Sequence, residues 1–417
     1  MAGANLGRAT DRPNVINLDV GGTSADVSLA RGGRPLIRAE WNINFNITIN
    51  FPSVDVATIG AGGGSIARVD TGGVLKVGPE SAGARPGPAC YRQGGEAPTV
   101  TDANLVLGRL GADTKLAGRV ALGLDLAQTA VDQVAGPLGC SRDEAAAGIL
   151  SIMRANMAGA IRLMTVRRGH DPREFALAAF GGAGPLHALE LAKELGIPEV
   201  VIPYVPGLGS ALGVLSVDVR HDFVQSIFAT ISRFDVTEIN DAFADLEARA
   251  YGRLTEEGVS DDRVALHRQV DVRYYGQVSG GLTLDAGKDK LAEEDVRAIF
   301  DSFHEKHTEE YGYTLPADLA ELELVNARVS AEGAQSAPAA PVFAGATNGE
   351  ARPSSTRQVY FELAGWTETV VYQRDTLPVG SKIAGPAVIE QLDSTTLVIP
   401  GSSIEVDPRR NLICRVG

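Results

Sequence analysis

The stretch Val15-Ile16-Asn17-Leu18-Asp19-Val20-Gly21-Gly22-Thr23-Ser24-Ala25-Asp26-Val27-Ser28-Leu29 constrains the fold more than any other. An apolar run meets an acid, two glycines and a threonine, then a second apolar run, which reads as two antiparallel strands joined by a tight loop. Paired glycines let the backbone approach an anion closely and open φ > 0 at little cost. Asp19 ends the first strand and Thr23 adds a hydroxyl, and the two together suit a hydrated Mg²⁺ beside a phosphate. An ordinary glycine-rich hairpin turn explains the same residues with no ligand.

At 417 residues the chain has room for two or three domains, and 44% hydrophobic with 22% charged residues places it among globular proteins. A formal charge of −14 argues against a nucleic-acid partner, because no basic stripe offsets repulsion from a phosphate backbone. A nucleotide is not excluded, since backbone amides and Mg²⁺ can hold it. No apolar run long enough to span a bilayer is expected, and the first residues lack the apolar core of a secretory signal. Cys90, Cys140 and Cys414 are odd in number and far apart, which predicts neither a disulfide framework nor a Cys-x-x-Cys metal site and fits a reducing cytoplasm.

Local signals predict an α/β fold. Three short strands open the chain (15–19, 26–30 and 35–39) and a strand at 54–59 runs into a second glycine cluster, Gly60 to Ser65. A short helix over 102–110 is expected to be capped by Thr101. Ser141 and Glu144 form a capping box, with Ala145, Ile149, Met153, Met157, Ile161 and Met164 on one apolar stripe behind it. An apolar strand at 175–180, the turn Gly181-Gly182-Ala183-Gly184-Pro185, a helix ending at Gly196 and a strand at 199–203 make a β-loop-α-β unit. The expected domains are 1–228, a mixed α/β region over 229–333, an Ala/Pro/Gly/Ser-rich linker over 334–355 and a β-rich part over 356–417.

No Walker A motif occurs, and Asp19 to Thr23 leads into a strand where a dinucleotide fingerprint needs a helix. An acid, two glycines and a threonine between antiparallel strands resembles the phosphate hairpin of the sugar kinase, heat-shock protein and actin superfamily, with its ribonuclease H-like, actin-like ATPase fold. Gly181 to Pro185 resembles that superfamily's adenosine motif. Longer blocks sharpen the match: Ile59 to Ala67, Ser81 to Tyr91, Pro98 to Leu105, Phe180 to Ala188, Ser210 to Gly213, Arg220 to Asp222 and Gly385 to Glu390. These resemble the hydantoinase A/oxoprolinase family, in order and over almost the whole chain.

The resemblance implies an enzyme that uses ATP and Mg²⁺ to phosphorylate the carbonyl oxygen of a cyclic amide, such as a hydantoin or 5-oxoproline, before the ring opens. A hydantoinase B-type subunit is the implied partner. Related subunits act in acetone and acetophenone carboxylases, so a ketone carboxylase subunit is the second reading, and a non-catalytic nucleotide-binding subunit the third. Asp19 is implied as the catalytic and metal-orienting residue, Asp26 as a second metal contact, Gly21, Gly22 and Thr23 as phosphate ligands, Gly62, Gly63 and Gly64 as a further phosphate or substrate nest, and Gly181, Gly182 and Gly184 as the adenosine turn. Family members also carry an N-terminal region with a first phosphate hairpin, so a separate N-terminal half is an expected partner. Elsewhere both readings stay open: core or ligand for His187, acid–base or structural for His170 and His221, packing or zinc for His304 and His307, buried thiol or nucleophile for Cys90, and helix cap or substrate contact for Asp102.

Overall fold

The computed structural model describes the chain except residues 44–46, 117, 216–217, 278–280, 317–318 and 335–349, and the side chains of 39–52. The chain forms two compact units, residues 1–215 with 338–417 and residues 216–337. Eight helices lie among the described residues: α1 (Ala2–Ala9), α2 (Val100–Val106), α3 (Leu124–Leu138), α4 (Arg142–Met164), α5 (Gly184–Leu195), α6 (Gly209–Leu215), α7 (Val236–Glu256) and α8 (Glu293–Tyr311).

The first unit is built on a nine-stranded mixed sheet. Its spatial order is Lys382–Ala384, Ser403–Val406, Leu412–Arg415, Glu199–Ile202, Ala176–Phe180, Val15–Val20, Ala25–Arg31 and Arg34–Pro35, with Val56–Ile59 also on Ala25–Arg31. The central pairs are parallel, Val15–Val20 on Ala176–Phe180 and that strand on Glu199–Ile202. Alternation along Val15–Val20 sorts the faces. Ile16, Leu18 and Val20 enter the main core with α2–α5, while Val15 joins Ala30, Ala178, Phe180 and Ala4 of α1 in a smaller cluster. Gly3 brings α1 so close that a Cβ there would overlap the Asn17 side chain.

The apolar stripe of α4 is buried as its spacing predicts, and the Ser141–Glu144 capping box forms. One expectation about this helix fails: Arg142–Arg168 is long and apolar enough to cross a membrane by length and composition, yet more than half of its most apolar stretch is buried inside the fold. The helix is therefore a core element here, and its hydropathy reflects burial on several sides. α2 is capped by Thr99 rather than Thr101, because Asp102 returns a bond to the Thr99 amide.

The C-terminal segment departs from the expected separate β-rich domain. Leu412–Arg415 pairs antiparallel with Glu199–Ile202, and Lys382–Ala384 and Ser403–Val406 continue the sheet beyond it. Only Ser355–Phe361, Gly365–Gln373, Ala387–Glu390 and Thr395–Val398 form a second sheet, and α5 packs on its last strand. The boundary expected at 228 falls inside the strand Val219–Thr230. Most of the expected linker, residues 335–349, lies outside the described residues.

The second unit is a four-stranded antiparallel sheet, Val219–Thr230, Leu322–Gly333, Val264–Tyr274 and Leu282–Asp285, covered by α7 and α8. Ile239, Phe243 and Leu246 of α7 and Val296, Phe300 and Phe303 of α8 meet Val270, Val272, Leu324 and Val329 in its core. His307 is fully buried, with Nδ1 2.8 Å from the Tyr313 carbonyl, among Phe303, Tyr311 and Tyr313. Packing accounts for it, and no cluster of three metal-ligating side chains exists among the described residues.

Candidate nucleotide site

The carboxyl ends of the parallel strands Val15–Val20 and Ala176–Phe180 adjoin, in register Asp19 to Phe180. Crevices outside such strand ends are where open α/β sheets bind ligands. Asp19 lies opposite Asp26 across the hairpin, and Asp26 opposite Thr58. Directly opposed residues share a face of the sheet, with Cβ atoms roughly 5 Å apart. Two carboxylates so placed repel each other unless hydrogen bonds or a cation offset their charge. The Thr58 hydroxyl donates to Asp26 at 2.5 Å, and the Ser210 hydroxyl, from the first turn of α6, donates to Asp19 Oδ2 at 2.6 Å.

The loop between the strands is open. Gly21, Gly22 and Thr23 are exposed, and nothing stands within 4 Å of where a Gly22 Cβ would be. The Gly21 amide closes the turn on the Ser24 carbonyl at 3.0 Å, while among the described residues the Gly22 and Thr23 amides have no acceptor in the chain. Neither glycine has positive φ. The expected reason for these glycines is thus replaced by another: they leave the loop's outer surface bare.

Gly62, Gly63 and Gly64 do not form the expected nest. The Gly63 amide donates to the Gly21 carbonyl at 2.9 Å, the Gly64 amide to the Gly22 carbonyl at 2.6 Å and the Gly62 amide to Ser65 Oγ at 2.8 Å. All three residues are buried, and a Cβ on Gly62 would stand 2.7 Å from the Gly22 and Thr23 backbone. This cluster braces the hairpin from behind, and its missing side chains make room for protein backbone rather than for a ligand.

The third cluster comes to Asp19 from the other strand. Gly181 turns with φ +79°, and a Cβ there would fall into the Val20 carbonyl and stand 2.6 Å from Asp19 Oδ1. The Gly181 amide reaches the Pro206 carbonyl at 2.9 Å and the Ala183 amide the Val20 carbonyl at 3.1 Å, which fixes the turn against the hairpin's first strand. Gly184 then opens α5, which has no side-chain cap and no acidic residue in its first turn. A bare helix N-terminus favours an anion. Asp19, Gly21, Gly22, Thr23, Gly181, Gly182 and Gly184 therefore converge, Asp26 joins them through the sheet, and Ser210 is an addition.

Behind the turn lies a charge network, buried at Arg109, Arg154 and Glu190 and open to solvent at Glu362. Arg109 holds Glu190 of α5 through two bonds of 2.7 and 2.8 Å, and Arg154 of α4 links Glu190 at 3.0 Å to Glu362 at 2.9 Å. Burial alone would raise the Glu190 carboxyl, but Arg109 and Arg154 outweigh it and hold it at about 2. His187, fully buried beside them with Nε2 3.4 Å from Asn104 Nδ2, is pushed down to about 3 by burial and then by Arg109. It is a neutral core residue. Asp102 accepts from the Ala89, Cys90 and Thr99 amides and the Thr99 hydroxyl, which makes it the organiser of a loop. Burial, followed by Asp102, drives the Cys90 thiol far up, so it is no nucleophile. The His170 ring lies against Phe175, and within the second unit the His221 ring meets Glu257 at 2.8 Å.

Comparison with known proteins now decides the family. The sequence model of the hydantoinase/oxoprolinase family matches residues 1–223, and that of its C-terminal domain residues 231–413. The chain belongs to the hydantoinase/oxoprolinase family. Among curated members, an uncharacterised protein of Methanocaldococcus jannaschii is 40% identical over 94% of this chain and 57% of its own length. Caprolactamase subunit alpha of Pseudomonas jessenii is 37% identical over 95% and 57%, and 5-oxoprolinase 1 of Arabidopsis thaliana 34% identical over 95% and 32%. The chain thus spans little more than half the length of the first two. Among solved members, the ATP-dependent caprolactamase of Pseudomonas jessenii superposes with a TM-score of 0.84 at 35% identity, over 100% of this chain and 60% of that one. A nucleotide-free acetone carboxylase gives 0.80 at 27%, over 99% and 60%. The actin-like ATPase half expected from the family's motifs is therefore the fold of the first unit.

Proposed function

We propose that this chain is the nucleotide-handling part of an ATP-dependent enzyme that activates a cyclic amide for hydrolysis. The observation that carries the reading is the convergence of the bare Gly21–Thr23 loop, the Asp19 carboxylate held by Ser210 and the glycine turn opening an uncapped α5. The relatives named as an ATP-dependent caprolactamase and a 5-oxoprolinase support the chemistry.

The residues present fit a metal-bound triphosphate: two amides without acceptors among the described residues, a threonine hydroxyl, an anion-favouring helix end and two facing carboxylates. ATP, when bound, supplies a phosphoryl group for a ring carbonyl oxygen, which makes that oxygen part of a leaving group and exposes the carbon to water. The Gly22 and Thr23 amides hold phosphate oxygens, and Asp19 and Asp26 hold Mg²⁺. Ser210 fixes the Asp19 rotamer. The turn of Gly181, Gly182 and Gly184, whose missing side chains make room for Val20, Asp393 and Leu18, presents its backbone to the nucleoside. A B-type subunit, and a separate N-terminal half where the two halves are separate chains, complete the enzyme in this reading; caprolactamase subunit alpha is itself named as a subunit.

The likeness to acetone carboxylase favours a second reading, in which the activated oxygen belongs to a ketone enolate and carboxylation follows. Reconstitution with a B-type subunit, scored by ADP release with caprolactam, hydantoin or 5-oxoproline, tests the first reading. We expect ring-dependent ADP release that Asp19→Asn lowers roughly 100-fold or more, the scale of losing one transition-state charge contact. Release that needs bicarbonate and a ketone supports the second reading, and none with any ring contradicts the first.

A further inference from the structure

The C-terminal segment reaches the glycine turn. Between the strands Ala387–Glu390 and Thr395–Val398, the turn Gln391-Leu392-Asp393-Ser394 places the Asp393 carboxylate on the Gly207 amide at 2.9 Å. Gln391 Nε2 donates both to Asp393 Oδ1 at 2.6 Å and to the Tyr204 carbonyl at 3.1 Å. A Cβ on Gly182 would stand 3.3 Å from the Asp393 carbonyl, so the two turns touch. Gly181 stands against Asp19 and Gly182 against Asp393, so the glycine turn separates the two carboxylates, with the phosphate loop on one side and the turn 391–394 on the other.

Three further features point to a ligand rather than to a merely structural contact. Leu392 and Leu208, the sequence neighbours of Asp393 and Gly207, are 70% and 56% exposed. Gln391 Oε1 and Ser394 Oγ are buried with no hydrogen-bond partner among the described residues. The Asp393 carboxylate is only half-buried, and each of its oxygens takes one bond, leaving lone pairs for more.

We propose that the turn Gln391–Ser394 is the nucleoside-recognition element of the site, with Asp393 accepting hydrogen bonds from the ribose hydroxyls and Leu392 and Leu208 covering the base. This rests on the reading of Asp19 and its loop as the phosphate end. A carboxylate suits a hydroxyl pair because it accepts only, and it repels phosphate from the nucleoside end. Recognition of the nucleoside thereby comes from a segment some 200 residues beyond the glycine turn.

Titration calorimetry of the whole chain with Mg-ATP, Mg-2′-deoxy-ATP and Mg-tripolyphosphate separates the two ends. The wild type should bind ATP more tightly than the deoxy form. Asp393→Asn should weaken ATP roughly tenfold, the worth of a charge-assisted hydrogen bond, abolish the preference for ribose and leave tripolyphosphate unchanged. Leu392→Ser, at an exposed position that folding tolerates, should weaken ATP and not tripolyphosphate. Asp19→Asn should weaken both ligands. Unchanged ATP affinity and ribose preference in both Asp393→Asn and Leu392→Ser, with Asp19→Asn impaired, overturns this inference and leaves the phosphate end standing; no binding of either ligand by the wild type overturns both.

Discussion

At Gly181 the backbone holds φ +79° with the Val20 carbonyl where a Cβ would go, whereas Gly22 sits at ordinary φ with open space around it. Both are glycines of a nucleotide-binding motif, yet they should respond to alanine in opposite ways. Gly181→Ala is expected to cost about 2 kcal/mol or more, from left-handed strain added to a backbone clash, read as a lower urea midpoint. Gly22→Ala should stay within about 0.5 kcal/mol while weakening tripolyphosphate binding, because the new methyl covers the bare loop. Glycine identity was legible in the sequence, but its purpose was not: a missing side chain looks the same whether ligand, solvent or protein backbone occupies the space. Gly62 to Gly64 show this, since they face the hairpin's own carbonyls. Ser210 stands in one of the family's blocks, but its role was hidden for another reason: it lies 191 residues from the carboxylate it holds.

Among the elements, α4 was foreseeable from its capping box and apolar stripe, α5 from the glycines that flank it and α2 in its existence though not its cap, while the charges that join them were not. Arg109, Glu190 and Arg154 follow no local pattern and meet only in the fold. Removing Arg109 leaves the largely buried Glu190 carboxylate only its bond from Arg154, so Arg109→Ala is expected to cost about 3 kcal/mol or more, measurable by denaturant titration. The same region sets a pH response. His187 is held at about 3, below the ordinary 6.5, so as pH falls beneath 6.5 the unfolded chain takes up a proton that the folded chain refuses. Glu190, held at about 2 instead of 4.5, adds the same trend at lower pH. Stability contributed by both is complete above neutral pH and is lost as acid is added, first from pH 6.5 and further from 4.5 toward 2. Melting temperatures of His187→Asn should fall less steeply between pH 6.5 and 4.5 than those of the wild type; equal slopes would remove His187 from the account.

For the whole molecule, the α/β class and the β-rich end were readable from strand and helix periodicity, but the end's attachment was not. Pairing of Leu412–Arg415 with Glu199–Ile202 spans some 200 residues, and no local pattern carries such a register. Truncation after residue 337 should therefore leave Glu199–Ile202 as a bare sheet edge and make the first unit aggregate. The second unit has its own core and needs none of the removed segment. Expressed as residues 216–337, it should unfold cooperatively, as followed by circular dichroism. At the centre of the molecule's proposed activity stands the phosphate site formed by Asp19, its hairpin and the glycine turn. Titrating Mg-tripolyphosphate into the wild type and into Asp19→Asn, each shown by circular dichroism to be folded, tests it most directly. Saturable binding is expected in the wild type, weakened at least tenfold in the folded variant; equal binding by both, or none by the wild type, would contradict the phosphate site.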